Sequence, residues 1–248
     1  MKDVVNQIVL TAENKRDSSF FKWAMQSIFA GMYIGFGMTI ALLSYGCLYG
    51  THFEKLAYGA TFGIGLLLVI FLQAELFTGN ILFFGMLWCT KRKKLRTISQ
   101  LILCFIFNFI GASILVALLH YSNLINTKFM VRAIFDLVPG KLELTATQLI
   151  ARGILCNILV CLAVLLSKVT KSDSAKVILV SWCLFVFVAG GFEHSIANMT
   201  ILQLAAVRGN DNYINMAYNL LYSGIGNVIG GLFIAIPYYL INKDKSAK

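Results

Sequence analysis

The chain has 248 residues, 58% of them hydrophobic and 13% charged, with a formal net charge of +10 and a mean hydropathy of +0.77. A soluble domain carries roughly 25% charged residues, so the composition excludes one and marks an integral membrane protein. The uncharged runs far exceed the ~9–11 alternating residues of a membrane barrel strand, which leaves an all-α bundle in a single domain.

The positive charge would suggest nucleic acid in a soluble protein. Here it clusters between apolar runs, at Lys2, Lys15, Arg16 and Lys22, at Lys91-Arg92-Lys93-Lys94-Leu95-Arg96, at Lys168, Lys171 and Lys176, and at Lys243, Lys245 and Lys248. That is the positive-inside pattern. It predicts a bilayer partner, no nucleic acid, and a cytoplasmic position for these segments and for both termini. Cys47, Cys89, Cys104, Cys156, Cys161 and Cys183 lie in or beside apolar runs without Cys-x-x-Cys spacing. They read as small packing residues, with neither a zinc site nor a disulfide framework indicated.

Residues 1–24 form an amphipathic helix, with Val4, Val5, Ile8, Val9 and Ala12 on one face. It is expected to lie at the cytoplasmic surface as an anchor rather than a gate. It lacks an h-region and cleavage site, so the N-terminus is expected to be retained. The six-span domain covers 25–241, and 242–248 form a cytoplasmic tail. The first span runs about 25–49. After a short loop at Tyr49–Glu54, an uncharged run of 35 residues extends from Leu56 to Thr90, interrupted by Glu75 alone. The third span is about 97–120 and an outer connection covers 121–146. The fourth span is about 147–167. Between Lys176 and Arg208 stand 31 residues in which Glu193 is the one charge. A straight helix that long would measure ~46 Å, against a hydrocarbon core of ~30 Å. Gly190-Gly191 followed by Phe192-Glu193-His194-Ser195 marks the predicted break. Arg208 to Asn212 make a short outer turn and the sixth span is about 214–241.

The halves match at a near-constant offset. Glu75 and Asn80 recur as Glu193 and Asn198, 118 positions later, and Asn108-x-Ile-Gly recurs as Asn227-x-Ile-Gly at an offset of 119. Each polar break falls in the second helix of a three-helix half, so 25–121 and 147–241 form inverted repeats with paired broken helices. That design places a site where half-helix ends meet. Non-helical backbone at membrane depth must be buried in protein or line a cavity. Ionisable residues there usually face a pathway or pair with each other. The residues alone leave each role open. Glu75 and Glu193 either hold the breaks in shape by capping loop amides or face the lumen. Thr78 is either a cap or a donor in the path. His194 is either a satisfied core residue or a titratable donor.

Three stretches carry a resemblance to a known family: Ala74-Glu75-Leu76-Phe77-Thr78-Gly79-Asn80, Gly153-Ile154-Leu155-Cys156-Asn157-Ile158-Leu159-Val160-Cys161-Leu162-Ala163, and Gly191-Phe192-Glu193-His194-Ser195-Ile196-Ala197-Asn198-Met199. They resemble the formate/nitrite transporters, over essentially the whole chain. One departure is Gln73, where the family motif usually has Gly. The resemblance implies an aquaporin-like six-helix protomer in a homopentamer of the cell (cytoplasmic) membrane, with one pore per protomer. Its implied substrates are small monovalent anions, formate first and then nitrite or hydrosulfide. It implies a pathway past Thr78, His194, Asn157, Val160, Lys141 and Asn227. It also implies an inner constriction at Leu66 and Phe77 and an outer one at Phe62, Leu76 and Phe187, with Glu75, Glu193, Asn80 and Asn198 supporting the breaks. A central His194 would hydrogen-bond or protonate the anion, letting it pass as the neutral acid.

A neutral-solute pore of the aquaporin or ammonium-channel type is the alternative. An Asn-Pro-Ala pair is lacking, since Pro139 and Pro237 both stand outside the breaks, and one central histidine does not make a stacked pair. A membrane enzyme would want a metal or nucleophile cluster, and one His with two separated Glu is a poor ligand set. No enzyme activity, cofactor or metal is therefore expected.

Overall fold

A computed structural model describes residues 1–90, 94–209 and 213–243. The expectations attached to Lys91, Arg92 and Lys93, to Asn210, Asp211 and Asn212, and to Lys245 and Lys248 lie outside the described residues. The elements run α1 (Lys2–Asp17), α2 (Phe20–Cys47), α3 (Glu54–Phe62), α4 (Ile64–Phe71), α5 (Phe77–Trp88) and α6 (Lys94–Tyr121). After a 3-10 turn at Leu124–Asn126 follow α7 (Lys128–Leu142), α8 (Ala146–Val169), α9 (Asp173–Ala189), α10 (Ser195–Val207) and α11 (Tyr213–Asn242). Among the described residues there is no strand.

Helix starts follow the sequence. Ser19 accepts from the Lys22 N–H, Ser172 from the Ala175 N–H, and Thr145 forms a capping box with Gln148. Each satisfies amide hydrogens that a helix leaves unpaired at its first turn. Five helices are long and apolar enough to cross a membrane: Phe20–Cys47, Glu54–Phe71, Lys94–Tyr121, Ala146–Val169 and Tyr213–Asn242. The two apolar half-helices α5 and α10 are shorter and buried on nearly every side, from Phe77 to Leu87 and from Ser195 to Ala205. They form the core around which the long helices stand. The outside of the bundle is apolar too. On α6, Ile98, Ile102, Ile106, Ile110, Ile114 and Leu118 are exposed in a stripe four residues apart.

The halves cross in the same way. A Cβ on Gly111 would lie 1.9 Å from the Ile28 carbonyl oxygen, and one on Gly230 would lie 2.3 Å from that of Ile154. Only glycine lets α6 meet α2, and α11 meet α8, so closely.

Two elements go beyond the sequence reading. The 121–146 connection contains the helix α7, which buries Met130, Ala133, Ile134 and Val138 against α2 and α10. The exposed charges Lys128, Arg132 and Asp136 fall four apart, the mark of one helical face. The helix α1 turns its apolar face to the bundle: Val5, Ile8 and Ala12 are buried and it packs on α5, α6, α8 and α11. The second half therefore opens with α7 as the first opens with α1, and the matched units begin before the 25 and 147 boundaries expected.

Candidate functional site

Each break is held by one asparagine from the last helix of its half. Asn108 Oδ1 accepts the Phe77 N–H at 3.0 Å, and its Nδ2 donates to the carbonyls of Glu75 at 3.0 Å and Ser27 at 2.7 Å. Asn227 Oδ1 accepts the Ser195 N–H at 2.9 Å, and its Nδ2 donates to the carbonyls of Glu193 and Gly153, both at 2.9 Å. Both amides are fully buried, so backbone groups freed by the interruption find partners without water. The Glu75 N–H donates to the Gln26 carbonyl at 3.1 Å and the Glu193 N–H to that of Arg152 at 3.3 Å. Asn227, expected along the pathway, has its amide engaged by backbone on both sides. The loop amides expected at the glutamates are served by Asn108 and Asn227.

The carboxylates instead take lysines from α1 and α7. Lys15 Nζ donates to Glu75 Oε2 at 2.6 Å, and Lys141 Nζ to Glu193 Oε1 at 2.9 Å. Lys15 and Lys141 lie 126 positions apart, like Gln26 and Arg152. Their backbones are fastened alike: Gln100 Nε2 donates to the Arg16 carbonyl at 2.9 Å, and Asn219 Nδ2 to the Lys141 carbonyl at 3.1 Å. Asn198 adds a strut of its own, donating to Glu193 Oε2 at 2.5 Å and accepting from Lys141 Nζ at 3.1 Å. Asn80 reaches only the Cys104 sulfur, at 3.6 Å. Lys15 was legible only as one of a basic run; its partner 60 positions away in sequence carries no local signal.

Where the breaks meet, Thr78 Oγ1 stands 3.0 Å from His194 Nε2. His194 Nδ1 accepts the Ala197 N–H at 3.0 Å, capping α10. Nδ1 so engaged carries no hydrogen, which assigns the proton of the neutral ring to Nε2 by the bonding network. His194 thus donates to Thr78, whose own hydroxyl hydrogen remains to be given. Asn157 Nδ2 donates to the Thr78 carbonyl at 3.3 Å and to that of Asn227 at 2.6 Å. Asn157 Oδ1 is buried without a partner. Val160 is buried one turn further along α8. The Phe187 ring stacks over His194 with centroids 5.7 Å apart, and Phe62 meets Phe187 edge-on at 5.7 Å.

Two cavities approach this contact from opposite ends of α2, the α3–α4 pair and α8. One, of about 390 Å³, is lined by Tyr58, Phe62, Lys141, Phe187, Glu193 and His194. The other, of about 400 Å³, is lined by Lys15, Leu66, Glu75, Leu76, Phe83 and Lys168 among others. Leu76, grouped beforehand with Phe62 and Phe187, lines the opposite cavity beside Leu66, because the backbone turns at the Glu75 break toward that end. Phe77, paired beforehand with Leu66, lines neither cavity and packs edge-on against Phe105 at 5.0 Å. Among the described residues no group of three or more His, Cys, Asp or Glu could hold a metal ion.

A family model described as formate/nitrite transporter matches residues 2–240. The nitrite transporter NirC of Salmonella typhimurium is 35% identical over 228 residues, covering 87% of this chain and 81% of its own. A solved FNT family ion channel superposes with a TM-score of 0.88 at 28% identity, covering 97% of this chain and 99% of its own. A pentameric formate channel with formate bound superposes with a TM-score of 0.80 at 27% identity, covering 89% and 96%.

Proposed function

The chain belongs to the formate/nitrite transporter family, whose members are transporters and channels rather than enzymes, and on that premise we propose that it conducts small monovalent anions between its two cavities. Formate is the first candidate, with nitrite and hydrosulfide after it. The observation that carries the reading is the Thr78–His194 contact, a pair of hydrogen-bond donors closed in by the two breaks, with one cavity lined by His194 itself and the other lined by Leu76 and Gly79 on either side of Thr78.

An anion pays heavily to leave water for apolar rings such as Phe62–Phe187 and Leu66–Leu76. Several features offset that cost. The half-helices α5 and α10 begin at the meeting point, and the positive ends of their dipoles favour negative charge there. Lys141 and Lys15 stand at the walls of the two cavities and raise the local anion concentration. At the centre the anion replaces Thr78 as acceptor of the His194 Nε2–H and takes the Thr78 hydroxyl hydrogen as a second bond. His194 in this tautomer gives a hydrogen bond, not a proton, because losing Nε2–H would leave an imidazolate. Passage as the neutral acid therefore takes its proton from solvent in a cavity. His194 then receives the anion that the proton has not yet reached.

Six crossings, with α3–α4–α5 and α9–α10 each making one broken span, put both termini on the cytoplasmic face of a cell membrane. Five copies, each with its own pore, would cover the exposed α6 isoleucine stripe with lipid or a neighbouring protomer.

The test is reconstituted flux of formate, nitrite and hydrosulfide at two pH values, in the wild type and in His194→Phe. Anion flux in the wild type that is lost in the variant supports the reading. Unchanged flux and pH profile in the variant, or water or ammonia flux without anion flux in the wild type, overturns it.

A further inference from the structure

Lys168 ends α8 and lines the α1-side cavity with Lys15, Lys22, Glu75 and Phe83. Its side chain is half-buried. Its Nζ lies 6.0 Å from the Phe83 centroid, and Lys15 Nζ lies 5.1 Å from the same centroid. The charges acting on Lys168 are Lys15 and Lys176, both positive. Glu75 is taken by Lys15 and Asp173 by Lys176, so among the described residues no carboxylate serves Lys168. An aromatic face attracts an ammonium only weakly and cannot replace a counterion. Two ammonium groups held on one ring, one of them without an anion, leave a cavity wall short of negative charge.

The internal repeat supplies no second copy of Lys168. The position 126 residues before Lys168 is Leu42, which is fully buried in the core. In the opposite cavity Lys141 is matched by Glu193, Arg152 donates to the Gly191 carbonyl, and Asp136 bonds the Tyr45 hydroxyl. Lys168 therefore stands outside the internal repeat, in the cavity that Leu66 and Leu76 also line, while the exposed Lys55 lines the opposite one.

We propose that Lys168, with the Lys15 ammonium across Phe83, forms a docking site for a small carboxylate or oxyanion at the α1 end of the pathway. The inference rests on the anion-transport reading for its purpose, but not for its test. An anion seated there gains charge-assisted hydrogen bonds, relieves the repulsion between the two lysines, and waits next to the apolar closure.

Trinitrophenylation of the full-length detergent-solubilised protein, resolved by peptide mass spectrometry, reads Lys168 directly. Sodium formate should slow modification of Lys168 several-fold relative to sodium gluconate, while the exposed Lys94 reacts equally in both. Equal Lys168 rates in the two salts overturn the site. In flux, Lys168→Gln should raise the formate concentration for half-maximal transport on the order of ten-fold from the α1 side, with the maximal rate kept and Lys168→Arg restoring it. Protection without any wild-type flux leaves the site standing and removes the transport reading. Wild-type formate flux with neither protection nor a Lys168→Gln effect does the reverse.

Discussion

The Glu75 break and the Glu193 break are built from the same parts, yet only one set of parts is doubled. Each has a lysine on its carboxylate, an asparagine holding the interrupted backbone, and a donor on the residue two before the glutamate: Gln26 to the Gln73 carbonyl at 3.0 Å and Arg152 to that of Gly191 at 3.4 Å. Two positions differ completely. Leu76 corresponds to His194, and Thr78 corresponds to Ile196. Thr78 and His194 face each other across the join. A bond present in both halves answers a need of the interrupted helix; a polar group present in one half answers some other need. By that rule the asparagines and the Lys–Glu bonds hold the breaks, and Thr78, His194 and Lys168 are the positions to which the proposed anion path gives a role of their own.

The largest effects should come from the doubled parts, and they should be alike. Asn108→Ala strands the buried Phe77 N–H and leaves the Glu75 carbonyl only the Cys104 thiol, and Asn227→Ala strands the Ser195 N–H and the Glu193 carbonyl, while the Ser27 and Gly153 carbonyls stay inside α2 and α8. Each unsatisfied group costs about 1–3 kcal/mol, so each variant, with two such groups, should lose on the order of 2–6 kcal/mol. Thermal denaturation in detergent checks this. A marked loss in one variant and none in the other would break the correspondence.

The ion pairs come next, with a difference that follows from Asn198. Lys15→Met leaves Glu75 buried without its one charged partner, a change that costs about 3–5 kcal/mol. Lys141→Met leaves Glu193 still bonded to Asn198 at 2.5 Å and should cost less. Adding Glu75→Gln to Lys15→Met should recover most of the loss, because the stranded charge is gone. The opposite ranking in melting temperature would mean that α1 swings aside and lets water reach Glu75.

The glutamates and the glycine pair stood out in the sequence because a lone charge in an apolar run is conspicuous, and the 118-position echo made them a pair. Of the lysines, Lys141 was reached only through the family resemblance and Lys15 not at all. Lys15 sits in a charge-rich segment, and Lys141 follows Pro139 in a stretch read as a loop, so nothing local distinguished them from solvated charges. The helical period of α7 was present at Met130, Ala133, Ile134 and Val138 but lay in a connection where no helix was sought. The grouping of Leu76 and Phe77 with particular rings depended on which way the chain turns after Glu75. Composition and spacing do not encode that turn.

The single-copy parts should show the opposite balance, a small change in stability with a large one in transport. His194→Leu and Thr78→Ile each give one break the residue its partner already has. His194→Leu removes the cap on Ala197, worth about 1 kcal/mol, and should abolish most of the anion flux. A melting temperature lowered as far as in Asn227→Ala, with flux intact, would place His194 among the architecture instead.

The smallest effect tests the backbone alone. Gln73 has φ of 53° and Gly191 has φ of 68°, so both breaks need a left-handed residue two positions before the glutamate. One half meets that need with a side chain that strains there by roughly 1–2 kcal/mol. Nothing lies within 4 Å of a Cβ built on Gly191, so Gly191→Gln has room for its side chain and reports conformation only. The extra freedom of glycine in the unfolded chain takes back about 0.5–1 kcal/mol. Gln73→Gly should therefore stabilise by about 0.5–1 kcal/mol and Gly191→Gln destabilise by a similar amount, read as opposite shifts in melting temperature. The Gln26–Gln73 and Arg152–Gly191 bonds run to carbonyls and survive both changes. Shifts of the same sign would mean that the two turns, for all their matched bonds, are not held in the same conformation.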